Sequence, residues 1–457
     1  MDPPDRAAPE NDAALMSRPE LSPTSEFARG MSLVVLGFIA ASAAAWTLLH
    51  VGWYVQMPAT VGDVPIYENY GNRIVHGEMP YADFRVEYPP LALPAFAVPA
   101  LLSHDSDSYR NSFQDLMAEC ELLVILVAGV ALFGVRAPPH RFAAALAFAA
   151  LSPLLLGSVV LTRFDLLPAA LTIGGLAALI HGRPRVGVFV LGCAIAAKLW
   201  PAVLLPLIAA WLLRRYGRRE AVVGAGIAIG VPLLAYAPFF VQSPGGVLWS
   251  LKEQLERPLQ VESLGSGVLL ALHQAVGMPL GVGTSHGSEN LTGSAAGVIA
   301  VVLSVAQVAV LIWLWRHFAH GPAEPERLLC YAAACVVAFV ALGKVLSPQF
   351  LIWLLPLVPL VRGRRGLAAS ALLGLACVLT QLWYPYRYVK LVDDFDPLAS
   401  WLVLARDVLL LALLAVLVMR HPSLNDRQPR PHLRVDAGGP PAPTRASAPS
   451  SSSSSSA

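Results

Sequence analysis

The stretch from Gly62 to Leu91, GDVPIYENYGNRIVHGEMPYADFRVEYPPL, gathers titratable side chains in an otherwise lipid-like sequence. It carries five carboxylates, Asp63, Glu68, Asp83 and Glu87 among them, the arginines Arg73 and Arg85, His76 and four tyrosines. Carboxylates, an imidazole and phenols in one loop beside a membrane face are material for proton transfer. A solvated loop with structural ion pairs is the other reading of the same composition. Two lysines, Lys198 and Lys344, interrupt short apolar runs far along the chain, and each is soon followed by a proline, Pro201 and Pro348. A charge at membrane depth costs about 2.5–3.5 kcal/mol on insertion scales, so it usually marks a site. An anionic ligand near one leaflet accounts for both lysines; snorkelling to the interface is the alternative.

The elements that must position these residues are membrane helices. The 457 residues are 56% hydrophobic and only 14% charged, against about 25% charged in soluble domains. With roughly 20 apolar residues needed per span, the segments fall near 31–55, 118–135, 142–161, 166–181, 186–197, 201–213, 221–240, 294–315, 328–345, 350–361, 367–384 and 400–419. The predicted fold class is an all-α polytopic membrane protein of about twelve transmembrane helices. Residues 91–102 are apolar, short and broken by proline, and read as interfacial or re-entrant; 105–114 reads as a polar loop. Residues 1–29 and 421–457 read as low-complexity tails, the second closing in a serine run. Between them lies one membrane domain, 30–420, with long loops at 56–117 and 241–293. The five cysteines read as buried apolar residues. Asn290-Leu291-Thr292 fits a glycosylation sequon. No basic tract with interleaved aromatics suggests nucleic acid.

Short basic connectors at Arg136–Arg141, Arg183–Arg185, Arg214–Arg219, Arg316–Arg327 and Arg362–Arg365 all fall on one side if the two short pieces near 186–213 count as spans. The positive-inside rule makes that side cytoplasmic. The 62–91 stretch, Arg163-Phe164-Asp165, Lys198, Lys344 and the long loops then face out.

Several motifs carry a family resemblance. Asp63 after the first helix, Gly77-x-x-Pro80-Tyr81 and Tyr88-Pro89-Pro90-Leu91 resemble glycosyltransferase family 87 of the GT-C superfamily. Arg163-Phe164-Asp165-x-x-Pro168, Lys198-x-x-Pro201, Arg257-Pro258-Leu259-Gln260-Val261-Glu262-Ser263 and Ser347-Pro348-Gln349-Phe350-x-x-Trp353 are similar to that family's later motifs, in order. The resemblance implies a GT-C-type bundle in the plasma membrane of a bacterium, an outward-facing active site and a functional first outer loop. It implies a polyprenyl-phosphate sugar donor, most often mannose, and a glycolipid or lipoglycan acceptor. Membrane lipids are the remaining partners.

Such a transfer needs a base for the acceptor hydroxyl and cations for the leaving phosphate. Asp63 matches the position of the family's proposed base, with Glu68 and Glu87 as the next candidates. Asp63 also suits the N-cap of a helix over Val64–Val75. Arg257 leads the phosphate ligands, followed by Lys198, Lys344 and Arg163; Arg163 and Asp165 stand close enough across a turn to pair with each other. Tyr81, Tyr88, Asp165, Glu262, His273 and Gln349 are the candidate sugar and acceptor contacts, with Trp200 and Trp353 able to stack on a sugar face. Paired carboxylates alone do not indicate a metal, so neither a cofactor nor an obligatory metal is expected. A transporter or flippase of a cell-envelope lipid intermediate is the alternative function, since broken helices and intramembrane lysines also fit one.

Overall fold

The structure, a computed structural model, describes residues 23–50 and 62–419. The two tails, as far as residues 1–22 and 420–457, and residues 51–61 lie outside the described residues.

Helices follow one another as α1 (Pro23–His50), α2 (Val64–Val75), α3 (Leu93–Leu102), α4 (Ser106–Gly134), α5 (Pro139–Leu156) and α6 (Ser158–Leu161). Next come α7 (Leu166–Ile180), α8 (Pro184–Ala197), α9 (Leu205–Tyr216), α10 (Arg218–Gln242), α11 (Pro244–Leu255) and α12 (Leu264–Val276). The last six are α13 (Ser294–His320), α14 (Pro325–Ala341), α15 (Leu351–Leu354), α16 (Gly363–Trp383), α17 (Tyr388–Asp394) and α18 (Pro397–Val418). The all-α membrane class is the one observed, with one small addition. A hairpin of β1 (Gly281–Ser285) and β2 (Ser288–Thr292) sits between α12 and α13. Its turn residues His286 and Gly287 both have positive φ, +54° and +63°, the type I′ geometry that matches strand twist. Asn290 of the sequon is buried in this hairpin, its amide donating to the carbonyls of Ser285 and Ser288. The sequon is therefore not presented to solvent.

Among the described residues, six helices are long and apolar enough to span a bilayer: α4, α5, α10, α13, α16 and α18. Other apolar helices are shorter, including α7 and α8, and the stretch Pro348–Leu360 is broken into short turns. Proline explains two of the breaks. Pro201 would clash with the carbonyl four residues back, and α8 ends at that residue, Ala197. Ser347 precedes Pro348 and is extended (φ −104°, ψ 151°), as a residue before proline tends to be.

Two boundaries differ from the sequence reading. Helix α1 begins at Pro23 rather than near residue 30; proline is favoured in a helix's first turn. Helix α4 begins at Ser106, so the supposed loop 105–114 is its first three turns. Asp105 accepts from Ser108 N–H and the Ser108 side chain reaches back in a capping box. Tyr109, Phe113, Met117 and Cys120 recur at helical spacing and are buried, and that stripe overrides the polar character of the window.

Helices α7 and α8 pack closely. A Cβ on Gly175 would lie 2.9 Å from the Gly187 carbonyl oxygen, and one on Gly187 2.8 Å from that of Gly175. The two backbones thus meet through facing glycines, as small residues allow in membrane bundles. Away from this contact, α7 begins after Asp165 and α8 ends before Lys198.

Candidate active site

The two proline breaks meet at the wall of one cavity. After α8 ends, Lys198 is extended (φ −156°, ψ 138°) and the chain restarts as a short turn, Trp200–Leu204. Beyond α14 the second break leads through Lys344 to Pro348–Phe350 and α15. Trp200 and Trp353 stack across the junction, centroids 5.0 Å apart, and Phe350 stacks on Trp353 at 4.0 Å.

The loop after α11 is clamped to the second break. Gln260 N–H donates to the Lys344 carbonyl at 3.0 Å, and Val261 N–H to that of Glu289 at 3.0 Å. Ser263 caps α12 through Ser266 N–H, and Lys344 Nζ donates to the Leu255 carbonyl at 3.2 Å. Arg257 and Lys344, 87 positions apart in sequence, are held side by side in this way. Gln254 donates to the Glu87 carbonyl at 3.0 Å, tying in the 62–91 stretch.

The result is a cavity of about 340 Å³ lined by Glu87, Tyr88, Lys198, Arg257, Lys344 and Gln349, with Trp200, Trp353 and Gln307 completing the wall. Six of the candidate residues therefore come together. Lys198 is paired to Asp165 behind the wall, which leaves Arg257 and Lys344 beside the carboxylate of Glu87. Arg257 Nη2 lies 3.6 Å from Glu87 Oε2. Lys344 has no carboxylate within 4 Å among the described residues and is half-buried. Burial raises the Glu87 carboxyl above its ordinary range, with Arg257 pulling the other way.

Behind this wall a second layer is fully committed. Lys198 Nζ donates to Asp165 Oδ1 at 2.6 Å and sits 4.6 Å from the Phe164 ring centroid. Trp353 Nε1–H donates to the same carboxylate oxygen at 2.5 Å. Asp165 is completely buried, and its Oδ2 accepts no hydrogen bond. Arg163 does not pair with Asp165. It pairs with Asp63 and donates to Tyr384 Oη at 2.9 Å. Asp63 is the N-cap of α2 by position, but its side chain caps no amide. Instead Asp63 Oδ2 accepts from Tyr67 Oη at 3.2 Å. Tyr67 meets Tyr88 edge to face at 5.8 Å, so Asp63 stands one aromatic layer from the cavity wall.

The remaining candidates are placed elsewhere. Glu68 accepts from Ser106 Oγ at 2.7 Å on the exposed side of α2. Tyr81 is buried, packs on Phe239 and donates its hydroxyl to the Tyr88 carbonyl at 2.6 Å; it braces the loop instead of facing the cavity. His273 Nδ1 lies 2.7 Å from the Met278 carbonyl at the end of α12, its ring against Phe395. Glu262 is buried behind the motif loop, and Arg406 donates to its backbone carbonyl at 2.6 Å. Burial pushes its carboxyl up to about 8, against the pull of Arg406 and Arg163.

Sequence reasoning missed Tyr384, Gln307 and the buried pair Arg406–Asp407 of α18, at 2.6 Å. A signal existed for the last: two adjacent charges inside an apolar run. Among the described residues, no group of three or more His, Cys, Asp or Glu side chains is placed to hold a metal ion.

Comparison with known proteins follows the same motifs. The model of Glycosyltransferase family 87 matches residues 87–348. A search of curated proteins finds no match. Among solved structures, the chain is similar to ArnT from Cupriavidus metallidurans bound to undecaprenyl phosphate. The identity is 14%, over 84% of this chain and 76% of that one, with a TM-score of 0.46. It is also similar to the Archaeoglobus fulgidus oligosaccharyltransferase in complex with Zn and sulfate. There the identity is 12%, over 81% of this chain and 53% of that one, with a TM-score of 0.35.

Proposed function

Because the chain belongs to glycosyltransferase family 87, we propose that this multi-pass membrane glycosyltransferase takes its sugar from a polyprenyl phosphate. The observation that carries the reading is the 340 Å³ cavity, where Arg257 and Lys344 stand beside the carboxylate of Glu87 and Lys198 lines the wall paired to Asp165. A leaving phosphate needs fixed cations, and Arg257 offers a bidentate fork where Lys344 offers a point charge. Tyr88, the Trp200–Trp353 stack and Gln349 supply faces and an amide suited to a sugar ring.

The transfer is a displacement at the anomeric carbon. The acceptor hydroxyl oxygen forms a bond to that carbon while the carbon–oxygen bond to phosphate breaks. The electron pair leaves with the polyprenyl phosphate, and the hydroxyl proton passes to a carboxylate base. We assign the base to Asp63. Arg163 and Tyr67 hold this side chain, and Tyr67 packs on Tyr88 of the cavity wall. Glu87, beside Arg257, belongs to the phosphate end. Mannose is the sugar and a glycolipid or lipoglycan the acceptor that the motif resemblance favours. The cavity faces outward on the positive-inside reading of the basic connectors.

The test is transfer of radiolabel from mannosyl phosphodecaprenol to a lipid extract by purified enzyme, wild type beside Asp63→Asn and Lys344→Gln. Transfer by wild type and its loss in both variants, with unfolding temperature retained, supports the reading. Failure of wild type with mannosyl and arabinosyl donors alike overturns it.

A further inference from the structure

A second and larger cavity, about 630 Å³, lies where α4 ends and α5 and α16 begin. Helix α4 starts at Ser106, which touches Glu68 near the active site, and runs 29 residues to Gly134. At 1.5 Å per residue its two ends are about 43 Å apart, so this hollow opens at the opposite end of the bundle.

Four arginines line it, Arg136, Arg141, Arg362 and Arg364, together with His140, against the one carboxylate of Glu326. The lining carries a net charge of +3 with the histidine neutral. Glu326 is already consumed by Arg141, which is buried and donates to Glu326 Oε2 at 2.8 Å as well as to the Leu360 carbonyl. Arg136, Arg362 and Arg364 are exposed and have no carboxylate within 4 Å among the described residues.

The positive-inside bias explains why arginines lie on this side, but not why these converge on one hollow. Three arginines of other basic connectors are spent on the protein itself. Arg185 pairs with Glu220 at 2.8 Å, Arg214 donates to the Ala319 carbonyl, and Arg327 to the carbonyls of His317 and Phe318. The start of α16 at Gly363 adds its positive helix end to the lining. Below the arginines the wall turns apolar, with Ala144 and Phe148 of α5 facing Leu367 of α16. Both helices are full-length spans, and Leu367 is 70% exposed. A cationic mouth above an apolar cleft between two spans matches an amphiphile with an anionic head.

We propose that this hollow binds an anionic membrane phospholipid, its phosphate between Arg136, Arg362 and Arg364 and an acyl chain in the α5–α16 cleft. The test titrates purified full-length protein in detergent with dioctanoyl phosphatidylglycerol, dioctanoyl phosphatidylcholine or inorganic pyrophosphate, reading bound lipid by native mass spectrometry. At roughly fivefold per basic residue near a lipid head, Arg362→Gln/Arg364→Gln should weaken phosphatidylglycerol about 25-fold. The exposed pair Arg218→Gln/Arg219→Gln, the same loss of charge on another connector, should change binding less than twofold. Equal weakening by both pairs would reduce the effect to diffuse charge and overturn the site. Pyrophosphate displacing phosphatidylglycerol at matching affinity would overturn the lipid assignment. Unfolding temperatures near wild type guard against misfolding, and Arg136→Gln gives an independent variant of the same site.

Discussion

Arg163 and Asp165 sit two residues apart on one turn yet serve different halves of the site. Arg163 reaches Asp63 and Tyr384, while Asp165 reaches Lys198 and Trp353. One short turn thus positions both the proposed base and a cation of the phosphate seat. Its rigidity comes from burial: Phe164 between them is fully buried and carries the Tyr67, Tyr88 and Phe96 rings edge to face around it.

The Asp63 assignment predicts a loss in the chemical step. Asp63→Asn keeps an oxygen to accept from Tyr67 and Arg163 but takes up no proton. General base catalysis contributes about 10²- to 10⁴-fold, so kcat should fall by that order while the donor KM changes little. Asp63→Glu should recover part of it with an altered pH profile. A kcat within twofold of wild type in Asp63→Asn moves the base to Glu87.

The Lys198–Asp165 pair should be non-additive. Removing one partner of a buried ion pair costs about 3–5 kcal/mol, because the other charge stays buried. Lys198→Met should therefore lower the thermal unfolding midpoint sharply. Adding Asp165→Asn should restore part of the loss, since contacting residues couple. Thermal unfolding of the two single variants and the double variant in detergent measures this. A double variant as unstable as the sum of the singles would show that the pair does not act as a unit.

Much of this was legible because the decisive residues offend the membrane. Lys198 and Lys344 interrupt apolar runs beside proline, and those breaks do form the cavity wall. Arg257 stood out as a bidentate cation in the 257–263 motif and Glu87 as a carboxylate of the 62–91 stretch. Relations that depend on distant apposition left no local trace. Tyr384 is 221 positions from Arg163, and Arg406 is 144 from Glu262. The hairpin was hidden because its ten strand residues lack the β-branched and aromatic richness of a strand. His273 and Tyr81 looked free to bind only because a sequence does not show the backbone carbonyls of Met278 and Tyr88 that they meet.

Glu262 predicts a pH dependence of stability. Its carboxyl titrates near 8 in the fold, against 4.5 as the ordinary value. Burial is the main cause; Arg406 and Arg163 pull it down and Asp407 pushes it up. The folded state therefore binds this proton more tightly than the unfolded chain. Stability should decline as pH rises from about 4.5 to about 8, and the full penalty remains above that. Glu262→Gln should match wild type at the acid end and unfold at a higher temperature at pH 9. Parallel unfolding curves across pH 5–9 would contradict the buried, protonated state.

Arg257 and Glu87 separate the phosphate seat from the acid–base chemistry. A hydrogen bond to a charged group contributes about 1.5–3 kcal/mol, so Arg257→Ala should raise the donor KM roughly tenfold to a hundredfold. Arg257→Lys should recover only part, because an ammonium lacks the planar fork. Glu87 lies 3.6 Å from Arg257 and competes with phosphate for it. Glu87→Gln should therefore tighten the donor KM and leave kcat within a few fold. Steady-state kinetics at varied donor concentration decides the matter: a kcat loss of a hundredfold in Glu87→Gln, with KM unchanged, would make Glu87 the base and leave Asp63 a partner of Arg163.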